Sequence, residues 1–220
     1  MRYSKSFYER FAVVNVPAAK RVMEELVQLA QPQSAIDLGC GERSFLSVLP
    51  AFGVIDSLGV EGPWVGDEQL QIPVERALRR DLDEPFPMER RYDLVISIEV
   101  AEHLRPERAE TLVDDLTHLA DLVLFSTAIP GQGGAHHLNE PSQSHWARLF
   151  GEPGYTVIDI LHPPALRDAR KPRGVGHQLT RQAPAAPRHT IRRLDPHGER
   201  RQRQAALSAM RIVNRKSQSS

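Results

Sequence analysis

A short apolar strand that runs into a glycine turn narrows the possible folds of this chain more than any other stretch. Residues 34–38 read S-A-I-D-L, the glycine pair Gly39 and Gly41 follows, and residues 43–49 predict the opening of a helix. Because glycine has no Cβ, the backbone there can turn sharply and approach a ligand closely. The order strand, acid, glycine turn and helix predicts a nucleotide-type site in an α/β domain.

The turn departs from the fingerprint of dinucleotide-binding proteins. In G-x-G-x-x-G a third glycine lets the helix pack closely on the strand, and Ser44 stands at that place here. Asp37 and Glu42 put negative charge on both sides of the turn, which disfavours a pyrophosphate. A cofactor that carries an ammonium and a sulfonium would tolerate both acids. An NAD(P)-dependent oxidoreductase and an ordinary tight turn stay open as alternatives.

Further acids follow the next predicted strands. Glu61 ends a strand over residues 55–61, Asp81 follows a polar strand end, and Glu99 follows a nearly continuous apolar strand over residues 92–98. Strands that alternate with helices predict parallel pairing, which brings the carboxyl ends of the strands to one edge of a sheet. We therefore predict an α/β fold of the Rossmann-like, doubly wound type, with a mostly parallel sheet between two layers of helices.

Later segments complete this prediction and carry a resemblance. Residues 121–127 predict a buried strand and residues 155–161 a later one, and a helix beginning near Pro106 is predicted to run to about Leu119. The acid-x-Gly-x-Gly pattern resembles the first motif of the class I S-adenosylmethionine (SAM)-dependent methyltransferases. The stretches I-E-V-A-E-H-L, I-P-G-Q-G-G and H-L-N-E are similar to a bacterial branch of that family with poorly defined substrates. The resemblance covers about residues 1–161.

The resemblance implies SAM as the cofactor and assigns roles to residues. Glu61 would bind the ribose hydroxyls, Asp81 and Leu82 would contact the adenine, and Glu99 would line the pocket. The residues implied on the methionine side of the cofactor belong to the glycine turn: Asp37, Gly39, Cys40 and Gly41. The implied reaction is methyl transfer to a small-molecule or sugar acceptor, with a hydroxyl as the expected acceptor group.

A hydroxyl acceptor needs a base that titrates near neutral pH, and histidine does so. His137 is the first candidate, with Asn139 or Glu140 orienting the substrate or the ring, and His103 is the second. The alternative for both histidines is a structural contact within a loop. No metal is predicted, because His136, His137 and Glu140 lie in a glycine-rich loop without helical His-x-x-x-His spacing or a cysteine pair.

The charge of the chain is divided unevenly. Residues 161–220 contain 14 Lys and Arg against three acids, six prolines and no aromatic residue, although the whole chain has a net charge of zero. This composition predicts a largely disordered basic tail over residues 162–220 after a methyltransferase domain over residues 1–161. We expect the final antiparallel strand of the sheet to be missing or degenerate, and only residues 202–213 indicate a weak helix. A changed reading frame is one explanation, and a tail that binds nucleic acid or another polyanion is another, less favoured one.

Composition limits the remaining function classes. The single cysteine, Cys40, excludes a disulfide framework. No apolar run reaches the ~18 residues of a membrane span, and no signal-peptide core is visible, so we expect a cytoplasmic protein without membrane contact. A SAM-binding protein impaired in catalysis by an aberrant C-terminus is an alternative function. A nucleic-acid methyltransferase is disfavoured, because residues 98–101 lack the Asn/Asp-Pro-Pro-Tyr/Phe type of motif.

Overall fold

The computed structural model describes residues 5–41, 43–63, 76–158 and 211–215, with side chains for residues 15–41, 43–63 and 76–158. The strands in chain order are β1 (Ser34–Leu38), β2 (Asp56–Glu61), β3 (Ala77–Arg79), β4 (Leu94–Ile98), β5 (Leu122–Ser126), β6 (Tyr155–Ile158) and β7 (Arg211–Arg215). The α-helices are α1 (Lys5–Leu26), α2 (Ser44–Val48), α3 (Ala109–Leu119) and α4 (Gln143–Gly151). Short 3-10 turns cover Leu49–Phe52, Ala101–His103 and Pro106–Arg108.

The seven strands form one sheet in the order β3-β2-β1-β4-β5-β7-β6. Strands β1 to β5 pair in parallel, and Asp37 of β1 lies between Gly59 of β2 and Ile96 of β4. The strand order reverses between β1 and β4, and ligands of such sheets bind at this switch point, beyond the carboxyl ends of the strands. The predicted doubly wound, mostly parallel fold is confirmed.

The expectation of a missing or degenerate final strand is wrong. Strand β7 pairs antiparallel with β5, where Val213 lies opposite Val123, and with β6, where Val213 lies opposite Val157. The helical spacing of apolar residues between 202 and 213 suggested a weak helix instead. A five-residue strand between basic residues has little local signal, and its backbone partners lie on strands distant in sequence. The other residues predicted as a basic tail lie outside the described residues.

Both faces of the sheet are buried, which explains the nearly continuous apolar strands. In β4, Val95 belongs to the apolar cluster that includes α3 and α4, whereas Leu94 and Ile96 belong to the cluster that includes α1 and α2. In β5 the same alternation places Phe125 on the first face and Leu124 on the second. Because successive side chains point to opposite faces, a strand covered on both sides must be apolar at nearly every position.

The helices differ from the sequence prediction mainly in their limits. The helix after the glycine turn is short, since α2 ends at Val48 and a 3-10 turn with Pro50 in its first turn follows. Helix α3 follows a 3-10 turn that starts at Pro106. The helix ends at Leu119, close to the predicted end. Within the described part of the chain, none of the helices is both long enough and apolar enough to cross a lipid bilayer.

Candidate cofactor and acceptor site

The glycine turn folds over the end of β2. The N–H groups of Gly39 and Cys40 both donate to the Val60 carbonyl, at 2.9 and 3.1 Å. Gly39 has φ +78° and Gly41 has φ +48°, a region that glycine enters without the steric cost of a Cβ. Among the described residues, no atom lies within 4 Å of the place where a Cβ on Gly41 would stand.

Glu61 at the end of β2 lies against this turn. Its Oε2 accepts a hydrogen bond from the Gly41 N–H at 2.7 Å, and its Oε1 accepts one from the Gly62 N–H at 2.8 Å. The acid predicted to bind ribose and the turn predicted to hold the methionine part of SAM are therefore neighbours.

Cys40 is a buried residue of the same turn. Burial raises the pKa of its thiol, and the negative charges of Asp37 and Glu61 raise it further. Arg43 is fully buried next to the turn, and its positive charge, together with a hydrogen bond to the thiol, opposes this rise in the pKa. The thiol therefore stays protonated and is a poor nucleophile, so the backbone of Cys40 is its contribution to the site.

The predicted adenine-contacting residues lie in the loop after β3. The Asp81 carboxylate accepts the N–H of Asp83 at 3.0 Å, which closes a tight turn. Leu82 is buried, and its carbonyl accepts a hydrogen bond from Arg108 Nε at 3.0 Å. Arg108 also donates to the Glu84 carbonyl and to Asp115 of α3. The loop is thus fastened to α3 by one buried guanidinium.

Glu99 follows β4 with an unusual backbone conformation. Its φ is +55°, and its N–H donates to the Ser126 carbonyl at 3.1 Å. Its Oε1 accepts a hydrogen bond from Ser126 Oγ at 2.8 Å. Burial raises the pKa of Glu99, and the adjacent Glu102 carboxylate adds to that rise.

Glu102 is the neighbour that the sequence analysis did not single out. It is fully buried, and its Oε2 accepts a hydrogen bond from Thr127 Oγ1 at 3.1 Å. Burial also raises the pKa of Glu102. Its other oxygen, Oε1, has no hydrogen-bond partner among the described residues. The sequence signal that could have revealed Glu102 is the spacing Glu-x-x-Glu-His directly after a buried strand. A tight turn with this spacing brings the second acid back to the end of the strand.

The loop after β5 docks on the turn that contains Glu102. The N–H groups of Leu138 and Asn139 donate to the Glu102 carbonyl, at 2.7 and 3.1 Å. His103 Nδ1 lies 3.3 Å from the His136 carbonyl oxygen. These contacts bring the rings of His103 and His137 together, with centroids 5.1 Å apart and planes at 85°. Burial is the main reason that the pKa of His103 is lowered.

His137 is oriented by Glu140 and not by Asn139. His137 Nδ1 lies 2.6 Å from Glu140 Oε1, and the Gly131 and Gly133 N–H groups donate to the same carboxylate at 3.1 and 3.0 Å. The hydrogen bond from His137 is the main reason that the pKa of Glu140 is lowered. The carboxylate therefore stays ionised and fixes the imidazole with Nδ1 toward it.

The structure thus separates the predicted residues into two connected groups. The glycine turn and Glu61 form one group, and the two histidines with Glu102 form the other. Glu99 directly follows β4, the strand that pairs with β1 on one side and with β5 on the other. Asp81 follows β3 at the same edge of the sheet. The predicted convergence of acids at one sheet edge is present.

Comparison with solved structures identifies the fold. The methyltransferase domain of bacterial CtHen1-C superposes with a TM-score of 0.53 at 22% identity, over 66% of this chain and 87% of that one. The mitomycin 7-O-methyltransferase MmcR gives a TM-score of 0.56 at 16% identity, over 96% of this chain and 56% of that one. The chain has the class I SAM-dependent methyltransferase fold. A third structure with this methyltransferase fold, coclaurine N-methyltransferase with N-methylheliamine and SAH, gives a TM-score of 0.51 at 18% identity, over 65% of this chain and 49% of that one.

Comparison of the sequence with known families and proteins gives no such assignment. No protein-family model matches it, and no curated protein matches it either. The class I methyltransferase fold is therefore visible in the sheet order and in the glycine turn, and not in overall sequence similarity.

Proposed function

We propose that this protein is a SAM-dependent methyltransferase that methylates a hydroxyl group of a small-molecule or sugar acceptor. The observation that carries the proposal is the contact between the Glu61 carboxylate at the end of β2 and the Gly41 N–H in the turn after β1, the strand at which the sheet order reverses. A carboxylate held at a glycine turn in this position suits an adenosyl group, whose ribose offers two hydroxyl donors.

The residues around the turn fit the cofactor in shape and charge. None of the described side chains covers the backbone at Gly41, which suits the close approach of a ligand, and the acids nearby favour a ligand with positive charge. When bound, SAM supplies a methyl group on a positively charged sulfur. The residues proposed to hold it are Asp37, Gly39, Cys40, Gly41, Glu61, Asp81, Leu82 and Glu99.

We assign acceptor activation to the histidine group. His137 is the proposed base, because Glu140 holds its Nδ1 and leaves Nε2 to accept the proton of the acceptor hydroxyl. His103, whose ring lies against that of His137, is proposed to contact the acceptor beside it. Both imidazoles follow strands that end at the sheet edge with the glycine turn, which would place the acceptor next to the cofactor.

A small-molecule acceptor is supported by the names of similar structures. Mitomycin 7-O-methyltransferase and coclaurine N-methyltransferase are both named for small-molecule methylation. A sugar acceptor, a cytoplasmic location and the absence of a nucleic-acid partner stay predictions from the sequence. The alternative of a binding protein impaired by an aberrant C-terminus loses its main support, because β7 completes the sheet.

Calorimetric titration of the full chain tests cofactor binding. We expect SAH and SAM to bind with one site per chain, and we expect NADH to give no heat of binding. Transfer of radiolabelled methyl groups from SAM to a pool of hydroxyl-bearing metabolites then tests catalysis. Binding of NADH in preference to SAH would contradict the proposal and favour the oxidoreductase alternative.

A further inference from the structure

Three side chains from two segments direct possible metal ligands toward one another. A carboxylate oxygen of Glu102 and one ring nitrogen each of His103 and His137 all lie within 4.8 Å of one another. The segments are joined through the backbone, because Leu138 N–H donates to the Glu102 carbonyl at 2.7 Å. The docking of the loop on the turn after β4 therefore holds the cluster together.

Each imidazole is held through Nδ1. His137 Nδ1 faces Glu140 Oε1, and His103 Nδ1 faces the His136 carbonyl oxygen. Because a carboxylate and a carbonyl only accept hydrogen bonds, each Nδ1 carries the hydrogen and each neutral ring keeps a lone pair on Nε2. Imidazoles that bind metals almost always have this arrangement, with the second nitrogen held by a carboxylate or carbonyl.

Glu102 supplies the anionic member of the cluster. Its side chain is fully buried, Oε2 is held by Thr127 Oγ1, and Oε1 has no hydrogen-bond partner within the described ranges. A carboxylate that is fully buried has lost its hydration, and an ionised carboxylate in such a place is costly unless a cation or further hydrogen bonds compensate. A cation between Glu102 and the two imidazoles would supply the missing partner.

We propose that Glu102, His103 and His137 bind one divalent transition-metal ion. Two imidazoles and one carboxylate suit Mn²⁺, Fe²⁺, Co²⁺ or Zn²⁺, whereas Ca²⁺ and Mg²⁺ favour ligand sets made of oxygen atoms. Three protein ligands leave coordination positions open, as catalytic metal sites do. This inference replaces the expectation from the sequence that no metal is bound.

The role of the ion in catalysis rests on the proposed function, whereas its binding does not. His137 Nε2 cannot hold a metal ion and accept a proton at the same time. In the metal-loaded protein the acceptor oxygen would occupy an open coordination position. A hydroxyl bound to a divalent cation releases its proton to solvent more readily than a free one, so the ion would replace His137 as the group that activates the acceptor.

Cobalt titration of the full chain, after removal of metals with a chelator, tests the site. We expect one Co²⁺ per chain by calorimetry and a visible absorption band from imidazole-bound cobalt. Glu102→Gln and His137→Asn should each weaken Co²⁺ binding at least tenfold, and Glu140→Gln should weaken it about 10- to 100-fold through the orientation of His137. His118→Ala is the matched control, because His118 is an exposed histidine outside the cluster and its loss should leave the affinity unchanged.

Absence of Co²⁺ binding at concentrations up to about 1 mM would overturn the inference, and so would equal affinity in the cluster variants and the wild type. If circular dichroism shows that the Glu102→Gln variant does not fold, the His103→Asn and Glu140→Gln variants provide the test. SAH binding separates this inference from the proposed function. A protein that binds SAH but not Co²⁺ contradicts only the metal site, and one that binds Co²⁺ through the cluster but not SAH contradicts only the methyltransferase proposal.

Discussion

Val100 fills the space that a Cβ on Gly39 would occupy: such an atom would lie 2.4 Å from Val100 Cγ2. The turn after β1 and the turn after β4 therefore pack with no room for a side chain at residue 39. Gly39 also has φ +78°, which disfavours any residue with a Cβ.

We expect Gly39→Ala to destabilise the protein, with about 1–2 kcal/mol from the left-handed backbone and a further cost from the contact with Val100. Urea unfolding of the wild type, both single variants and the Gly39→Ala/Val100→Ala pair measures the two parts. The pair should recover the steric part and not the backbone part. Strictly additive effects of the two substitutions would show that the contact is unimportant.

Glu61→Gln tests the cofactor side of the site. A glutamine keeps the size of the side chain and removes its charge, and hydrogen bonds to a charged group contribute about 1.5–3 kcal/mol. We expect the dissociation constant of SAH to rise about 10- to 100-fold, measured by calorimetry. Glu84→Gln, at a side chain that is 70% exposed, is the control and should bind SAH as the wild type does. Unchanged SAH affinity in Glu61→Gln would remove Glu61 from the site.

Arg108→Ala tests how the loop after β3 is held. The guanidinium is buried and pairs with Asp115, so its loss leaves a partly buried carboxylate without its cation. Breaking such a pair costs about 3–5 kcal/mol, which urea unfolding would detect. Arg105 pairs with Asp83 but is 57% exposed, so Arg105→Ala should cost no more than about 1 kcal/mol. Similar losses in the two variants would contradict the distinction drawn from burial.

Val213→Pro tests whether β7 holds the sheet together. Strand β7 lies between β5 and β6, and proline removes a backbone donor and fixes φ within a strand that is paired on both sides. We expect a loss of about 3 kcal/mol or more in the free energy of unfolding. Val213→Thr keeps the N–H group and the β-branched shape, so it should cost much less. A stable Val213→Pro protein would mean that β7 contributes little to the fold.

Asp93 gives a prediction about acid stability. Its carboxylate accepts the N–H groups of Gln33 and Ser34 at 2.9 Å each, and these bonds lower its pKa below the ordinary value. A lowered pKa in the folded state adds stability above the pKa of the unfolded chain, near 4, and this stability is lost as the pH falls through the folded value. The difference in unfolding free energy between wild type and Asp93→Asn should therefore be constant near pH 7 and shrink below about pH 4. A difference that does not depend on pH would contradict this assignment.

The sequence by itself determined the parallel core of the protein and the acids at its edge. Apolar residues at nearly every position of β4 and β5 require cover on both faces, which is a local signal of a three-layer α/β fold. The glycine turn is equally local, because its conformation needs residues without a Cβ. Parallel pairing then carries Asp37, Glu61 and Glu99 to one edge, so their proximity follows from the strand pattern alone.

Three features depended on the tertiary structure. They are the pairing of β7 with its neighbours, the attachment of the loop after β3 to α3 through Arg108, and the docking of the His137 loop on Glu102. The partners in each of these contacts lie far apart in sequence, so no local pattern of hydropathy or turn residues records them. Oε1 of Glu102 is left without a partner within the described residues only because the fold buries it. The two imidazoles meet only because the N–H groups of Leu138 and Asn139 reach the Glu102 carbonyl. Local periodicity specifies which elements form, whereas hydrogen bonds and burial between distant segments specify which side chains share a site.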